Sequence, residues 1–536
     1  MYLVDQHLKA IMEECKARAR DAGLNFGEET LEYIVTNRDL IELSPKLMIP
    51  TMYDYWVHDV EVLKGQGRYK VYPTNPYETV INSRPAISFY NDNNPDWLNI
   101  MIFYHVLAHI DFFQNNTYFE KTWDDDFVGQ ALADKRMIVN LRSEHGRWVD
   151  YVIEFSRSIN NLTGYYQELA KSNLPSERIV SDKIEFYFGT FLQDIKKLPS
   201  HEIFEEIEKY NKMNAENEDA DGNAFFYEVQ KKYPEFNAVH KRQKEKEAKP
   251  HTSLMEFIRD NSSFLKQEDN AWMKSIMDIV RYTSLYFDPQ IRTKILNEGW
   301  ASYWHDQLFR IDDRITGHEV DYAKTNAGVT SLSRIGLNPY AIGLRLLQHI
   351  EELTDKGKLD YNFQKIDDIE LRNAYDKHTG GGKRAIFDIR SKFSDYTLIN
   401  TFVSQDFIDK YDLFVVGMRR NEERGTVEYY VKSRKVEDYK KMLIDSLYHP
   451  PKVEIDKDKT DDSNLYLTHR FEGKQLVKDY IPDTMIGIEY LWGGQVQLET
   501  TEIIRKRPES EDAEQEFEHK RVLYTIKDRK ITKKDM

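Results

Sequence analysis

The stretch Trp97-Leu-Asn-Ile-Met-Ile-Phe-Tyr-His-Val-Leu-Ala-His-Ile-Asp-Phe-Phe113 is the most apolar helix candidate in this 536-residue chain. Its apolar residues recur at helical spacing and cover most faces, which predicts a helix that is buried all round. His105 and His109 stand four residues apart, so both should project from one face of that helix, one turn apart. The stretch therefore predicts a helical core that carries two imidazoles into the protein interior.

A second polar group lies on a later apolar helix, in Asn297-Glu-Gly-Trp-Ala-Ser-Tyr-Trp-His305. Glu298 and His305 are seven residues apart, which is two helical turns, so they should share a face. Two histidines and one glutamate are a known ligand set for a catalytic zinc ion that keeps one position open for water. The pattern makes His105, His109 and Glu298 candidate ligands for zinc or another divalent transition metal.

Other interpretations of these residues remain open at this stage. With 15 histidines in the chain, chance alone gives about 0.4 pairs at this spacing. Buried histidines that are hydrogen-bonded to neighbours would also explain the pair. The alternative for Glu298 is a structural role in which it caps or buttresses its helix.

The general base of a hydrolase is not apparent at the usual position. In HExxH metalloproteases a glutamate follows the first histidine and acts as the base, whereas Val106 stands there in this chain. Asp111, Tyr303 and His305 are candidate catalytic residues by proximity in the sequence. Asp111 would alternatively accept a hydrogen bond from the second ring nitrogen of a ligand histidine.

The pattern along the chain predicts a mainly α N-terminal domain followed by a smaller α+β domain. The helical domain is expected over residues 1–395, with a charged insert at 201–250 that we interpret as a solvated helix and linker. Short strands and helices then predict the α+β domain at 396–505. Residues 506–536 are expected to form a charged tail.

Composition restricts the class of protein. Lys and Arg total 75 against 91 Asp and Glu, for a net charge of −16, which argues against a general nucleic-acid binder. The single cysteine, Cys15, excludes an internal disulfide and a cysteine-rich zinc site. No apolar run approaches the roughly 18 residues of a membrane span, and the N-terminus lacks the pattern of a signal peptide. We therefore expect a cytoplasmic protein, and the oligomeric state stays open.

Several motifs together resemble one known family, the SpoVR-like (stage V sporulation protein R) proteins. In chain order they are Met48-Ile-Pro, Val80-Ile-Asn-Ser-Arg-Pro-Ala-Ile, His105-Val-Leu-Ala-His-Ile-Asp-Phe-Phe-Gln-Asn-Asn, Phe257-Ile-Arg-Asp-Asn-Ser, Asn297-Glu-Gly-Trp-Ala-Ser-Tyr-Trp-His, Gly336-Leu-Asn-Pro-Tyr-Ala-Ile-Gly and Phe402-Val-Ser-Gln-Asp-Phe-Ile. The resemblance runs from about residue 20 to about residue 500, in order. It implies a zincin-like helical core, similar to that of the gluzincin proteases.

The resemblance also implies site residues and a function. It assigns the metal pair to His105 and His109 and the third ligand to Glu298. It suggests a zinc-dependent hydrolase linked to the spore cortex, which is a cell-wall (peptidoglycan) layer, or to a stress response. The alternative is a non-catalytic, metal-stabilised regulatory or scaffold protein that acts with a PrkA-type serine protein kinase and a von Willebrand factor A (VWA)-like protein.

Overall fold

The structure is a computed structural model. It describes residues 2–27, 29–37, 39, 78–119, 122, 127–159, 183, 186–196, 206, 209, 213, 223–247, 253–333, 336–359, 363, 366, 368–421, 425–447, 451–471, 475–505 and 517–536. The motif that begins at Met48 lies outside the described residues. The chain divides into two compact units, the first made of Met1–Tyr166 and Leu254–Met536 and the second of Gln167–Ser253.

Most of the described secondary structure is helical. The α-helices are α1 (Gln6–Asp21), α2 (Asp96–Asn115), α3 (Phe127–His145), α4 (Trp148–Ile159), α5 (Asn223–Lys232), α6 (Phe236–Glu247), α7 (Leu254–Asn261), α8 (Trp272–Arg292), α9 (Lys294–Phe309), α10 (Glu319–Thr330), α11 (Pro339–Asp355), α12 (Ile369–Ala374), α13 (Gly382–Lys392), α14 (Asp395–Phe402), α15 (Gln405–Lys410), α16 (Val436–Ser446) and α17 (Ile481–Trp492). A π-helix spans Phe186–Ile195, and short 3-10 turns lie at Thr117–Phe119, Glu268–Asn270, Asp313–Ile315 and Lys478–Tyr480.

The strands form three sheets. They are β1 (Tyr2–Leu3), β2 (Thr30–Val35), β3 (Glu78–Ile81), β4 (Ala86–Asn91), β5 (Val415–Asn421), β6 (Thr426–Ser433), β7 (Lys452–Ile455), β8 (Asn464–Arg470), β9 (Gln495–Arg505), β10 (Phe517–Lys527) and β11 (Lys530–Asp535). The sheet orders are β1-β2-β4-β3, β5-β6 and β11-β10-β9-β8-β7. The predicted mainly helical chain with a smaller sheet-containing region near its C-terminus is thus confirmed at that coarse level.

Helix α2 forms the centre of the first unit. Its side chains are buried from Leu98 to Phe113, as its continuous apolar pattern predicted. It packs against α1 on one side and α9 on another, and the surrounding aliphatic and aromatic side chains form one large cluster. No helix within the described ranges is long and apolar enough to span a bilayer.

Helices α9 and α11 cross at a pair of glycines. A Cβ atom on Gly343 would lie 2.0 Å from the carbonyl oxygen of Ile295, and one on Gly299 would lie 2.3 Å from the carbonyl carbon of Gly343. Only glycine allows the two backbones to approach this closely. The crossing explains why both motifs carry a glycine, and it sets the start of α11 beside the face of α9 that points to α2.

Side-chain caps fix where these helices begin. Asn338 Oδ1 accepts hydrogen bonds from the backbone N–H groups of Tyr340 and Ala341 at 3.1 and 3.4 Å, at the start of α11. Asp395, which is distant in sequence, accepts the N–H groups of Ile295 and Leu296 at 2.8 and 2.9 Å at the start of α9. Each cap satisfies backbone donors that have no partner inside the helix. Burial raises the pKa of Asp395 to about 7 despite these hydrogen bonds.

The five-stranded sheet and its neighbouring helices form a second cluster in the same unit. Helices α4, α7, α8 and α17 contribute to it together with β7 to β10. The 3-10 turn at Lys478–Tyr480 leads directly into α17. Residues 517–535 of the expected charged tail form β10 and β11. In β10, Val522, Tyr524 and Ile526 alternate into the core, and the exposed β11 pairs with β10.

The second unit has its own aromatic cluster. Its described members lie on the π-helix, α5 and the start of α6, and they are Phe186, Tyr187, Phe191, Leu192, Phe225, Phe226, Val229 and Phe236. The charged stretch 201–250 belongs to this unit. Its described part contains α5 and α6, which contribute Phe225, Phe226, Val229 and Phe236 to the cluster.

Candidate metal centre

Two imidazoles and one carboxylate converge between α2 and α9. The Nε2 atoms of His105 and His109 are 3.1 Å apart. Glu298 Oε2 lies 3.5 Å from His109 Nε2 and 3.8 Å from His105 Nε2. Ligand atoms held about 2.1 Å from a tetrahedral ion are about 3.4 Å apart, so the three observed separations bracket the spacing that a metal requires.

A chain of hydrogen bonds determines which nitrogen of His105 carries a proton. Asn326 Nδ2 donates to Asp306 Oδ1 at 3.2 Å, so Asn326 Oδ1 faces His305 Nε2 at 3.0 Å. His305 Nε2 must therefore donate, which in a neutral ring leaves His305 Nδ1 as an acceptor. His105 Nδ1 lies 2.9 Å from it and donates, so that His105 Nε2 keeps its lone pair.

His109 is oriented in the same way. Its Nδ1 donates to Asn297 Oδ1 at 2.9 Å, and its Nε2 is then also an unprotonated acceptor. Glu298 Oε2 is buried and accepts no hydrogen bond from the described residues. With these tautomers the two Nε2 lone pairs face Glu298 Oε2, and a bound cation would relieve their repulsion.

The electrostatics agree with neutral rings. Burial, together with the neighbouring His109 and His305 rings, holds the pKa of His105 well below its usual value. Burial lowers the pKa of His305 to about 4. Both rings are therefore uncharged at neutral pH, which is the form that binds a metal.

One further side chain borders the site. The ring of Tyr340, in the first turn of α11, stacks on the His105 ring with centroids 6.1 Å apart and planes 19° from parallel. The glycine crossing of α9 and α11 brings this ring close to the imidazole. Tyr340 therefore covers one face of the candidate ligand.

The residues proposed as catalytic lie in three different environments. His305 contacts His105 directly, whereas Asp111 accepts hydrogen bonds from the Asn25 backbone at 2.7 Å and the Trp300 indole at 2.9 Å. Burial raises the pKa of Asp111 to about 6, although Arg390 lies 3.4 Å away. These contacts of Asp111 are with groups other than the ligand imidazoles, and its catalytic role stays a prediction.

Tyr303 faces away from the imidazoles on the same helix as Glu298. Its hydroxyl donates to Glu351 at 2.8 Å and accepts from the Lys383 ammonium at 2.6 Å. Burial and the neighbouring Glu351 raise the pKa of this hydroxyl above its usual value. Its assignment as a catalytic group likewise stays a prediction.

Sequence reasoning did not single out three residues that shape the site. Asn297 and Tyr340 both lie in motifs that carried the family resemblance, so their positions were available as a signal. Asn326 had no such signal, because it lies on α10 and reaches His305 only through the tertiary fold.

Comparisons with known proteins place the chain. A family model described as SpoVR like protein matches residues 4–450. The chain is similar to YcgB of Escherichia coli (strain K12), a curated protein described as uncharacterized. The two are 24% identical over 339 residues, which are 60% of this chain and 59% of YcgB. The chain thus matches less than two thirds of that relative, and no solved structure matches it significantly. Because the family model spans most of the sequence, the chain belongs to the SpoVR-like protein family.

Proposed function

We propose that this chain is a metal-dependent hydrolase in which His105, His109 and Glu298 hold a zinc ion or another divalent transition metal. The observation that supports the proposal is the convergence of three candidate ligand atoms, one from each side chain, all within 4.8 Å of one another. Hydrogen bonds at the outer nitrogens of both imidazoles favour the same conclusion, since metal-binding histidines are usually oriented in this way.

The number of ligands favours catalysis over a purely structural ion. Structural zinc sites generally have four protein ligands, whereas catalytic sites have three and keep one position for water or substrate. Within the described part of the chain the cluster offers three. A zinc ion held in this way supplies Lewis acidity for hydrolysis of an amide bond. Asn297 and His305 would orient the two imidazoles, and Tyr340 would shield His105 from water.

The proposed substrate class is the amide bonds of peptidoglycan or its precursors. This part of the proposal rests on the link of the family name to stage V of sporulation, and a link to stress responses would involve the same chemistry. A cytoplasmic enzyme would meet soluble precursors and not the assembled wall. The base would come from a residue other than Val106, which is fully buried in α2.

Metal analysis is the first test. We expect about one equivalent of a divalent transition metal in purified wild-type protein, and less than about 0.2 equivalents would contradict the proposal, because such sites bind tightly. His109→Ala should lose the metal. His349→Ala is the matched control, because His349 is also a buried histidine on a core helix, and this variant should keep the metal.

Activity on soluble muropeptides then tests the reaction class. The wild type should release free amine groups from the peptide stems, and the His109→Ala variant should not. If the metal-loaded wild type leaves these amides intact at every pH tested, the hydrolase proposal is wrong even though the metal site stands.

A second candidate is the metal-stabilised regulatory protein that acts with a PrkA-type kinase and a VWA-like protein. Val106 in place of the catalytic glutamate is the observation that favours it. In that case His109→Ala should lower the melting temperature and the affinity for the kinase together. In the hydrolase, by contrast, the variant should lose activity while kinase binding is unchanged.

A further inference from the structure

The polar residues behind His105 form a continuous chain that ends in a buried carboxylate. Asp306 Oδ1 accepts hydrogen bonds from the Tyr322 hydroxyl at 2.5 Å, from Arg310 Nε at 2.9 Å and from Asn326 Nδ2 at 3.2 Å. The chain continues through Asn326 and His305 to His105. Asp306 and His305 are both buried, so water does not readily replace these partners.

We infer that Asn326 is a positioning residue that, through His305, fixes the proton of His105 on Nδ1 and so keeps Nε2 free to bind a metal. The inference deepens the proposed function and adds a residue that the family motifs do not contain. Its physical basis is that Asp306, as a carboxylate, can only accept. The orientation of the Asn326 amide is therefore determined, and each later donor and acceptor follows from it.

The remaining contact of His105 does not weaken this reasoning. The backbone carbonyl of Ala301 also hydrogen-bonds to the His105 ring. A carbonyl oxygen cannot donate a proton, so it does not compete for the lone pair of His105. His305 in its acceptor form is compatible with the proton on His105 Nδ1, and Asn326 holds His305 in that form from the outer side.

The first experiment measures the proton position in the metal-free protein. Nitrogen-15 NMR of selectively labelled histidine distinguishes the two neutral tautomers of each ring. We expect His105 in the wild type to be protonated at Nδ1 and His305 at Nε2. In Asn326→Ala the two tautomers of both rings should mix, and a wild-type His105 protonated at Nε2 would overturn the inference without touching the metal proposal.

The second experiment measures zinc affinity by competition with a chelator. Loss of such an outer partner generally weakens a metal site about 10- to 100-fold, and we expect a loss in this range for Asn326→Ala. Asn326→Asp keeps an acceptor for His305 but places a second carboxylate against Asp306. It should fold less stably yet bind zinc more tightly than Asn326→Ala at equal folded fraction.

Rescue distinguishes positioning from packing. His305→Gln retains an acceptor oxygen for His105 Nδ1 and should hold zinc better than His305→Leu, which has similar bulk and no acceptor. Equal zinc affinity in these two variants, both folded by circular dichroism, would refute the positioning role. If wild-type protein binds no zinc at all, the proposed function fails, while the NMR result still decides this inference.

Discussion

Two glutamates in the first unit show what separates a structural carboxylate from a candidate ligand. Glu502, on the C-terminal sheet, is 3% exposed and accepts hydrogen bonds from Lys478 and Lys533, at 2.8 Å each, and from the Tyr524 hydroxyl. Glu298 has a buried Oε2 with no donor in the described residues and two imidazole nitrogens beside it.

The main difference lies in the partners, although the Glu298 side chain is also more exposed, at 17% against 4% for Glu502. A buried carboxylate is normally compensated by donors or cations, and Glu502 meets that condition through Lys478 of the 3-10 turn and Lys533 and Tyr524 of the sheet. Glu298 does not, so its surroundings favour a cation from solution. The partners of a carboxylate therefore distinguish a candidate metal ligand from a structural residue, which a sequence motif alone does not.

Of the substitutions considered, Gly343→Ala should lower the unfolding free energy the most. The new Cβ would meet the Ile295 carbonyl oxygen at 2.0 Å, and the helices cannot separate without losing core packing. We expect a loss of about 3 kcal/mol or more in unfolding free energy, together with loss of zinc binding. Urea denaturation measures the first effect and chelator competition the second.

Gly328→Ala provides the control for that variant. Gly328 lies within α10, and a Cβ there would meet nothing within 4 Å. Alanine in such a helix position should be neutral or stabilising by about 0.5–1 kcal/mol. A similar loss in both variants would show that the helix crossing has no special role.

Matched isosteric substitutions test the difference between Glu502 and Glu298 directly. Glu502→Gln should lower the unfolding free energy by about 2 kcal/mol, because it leaves two ammonium groups without their carboxylate. Glu298→Gln should change the stability of the metal-free protein by less than about 0.5 kcal/mol, because no donor loses a partner. It should nevertheless weaken zinc binding. Equal destabilisation by the two changes would remove the distinction.

The stabilising contacts of Glu502 should also make the stability of the protein depend on pH. Burial alone would raise the pKa of Glu502, but hydrogen bonds from Lys478, Lys533 and Tyr524 hold it down at about 2. An unfolded glutamate has a pKa of about 4.3, so this stabilisation is present above that pH and is lost as the pH falls towards 2. Acid unfolding curves of Glu502→Gln should lack this component, and a curve identical to the wild type would contradict it.

Asn338→Ala should lower stability less than Gly343→Ala or Glu502→Gln. It removes the cap that satisfies the first N–H groups of α11, which should lower stability by about 1 kcal/mol. Tyr340 lies in that first turn, so zinc affinity should fall slightly as the ring loses its fixed position. Thermal unfolding and chelator competition report the two changes, and an unchanged melting temperature would show that the cap is dispensable.

Local sequence patterns predicted the buried helix, several strands and the spacing of the candidate ligands. The continuous apolar run at residues 97–113 predicted a buried helix, and α2 has that burial. Short strands were expected within residues 396–505, and β5 to β9 lie in that range. The spacing of His105 and His109, and that of Glu298 and His305, indicated shared helix faces, although only tertiary structure brings α2 and α9 together.

Other features depended on long-range contacts or on a weaker signal. Asn326 and Asp395 act on α9 from elements that are distant in sequence, and no local pattern marks them. In residues 517–527 the alternation of Val522, Tyr524 and Ile526 was present but masked by the surrounding charges. The alternation of apolar and polar residues, which is typical of a strand with one buried face, is therefore the signal for β10.

The C-terminal sheet also bears on how this family should be handled in the laboratory. The family match ends at residue 450, yet the apolar faces of α4, α7 and α8 are buried against strands and a helix that follow it. A fragment truncated at the family boundary would therefore expose an interior surface to water and aggregate. The segment that carries the family signature is, in this chain, not autonomous.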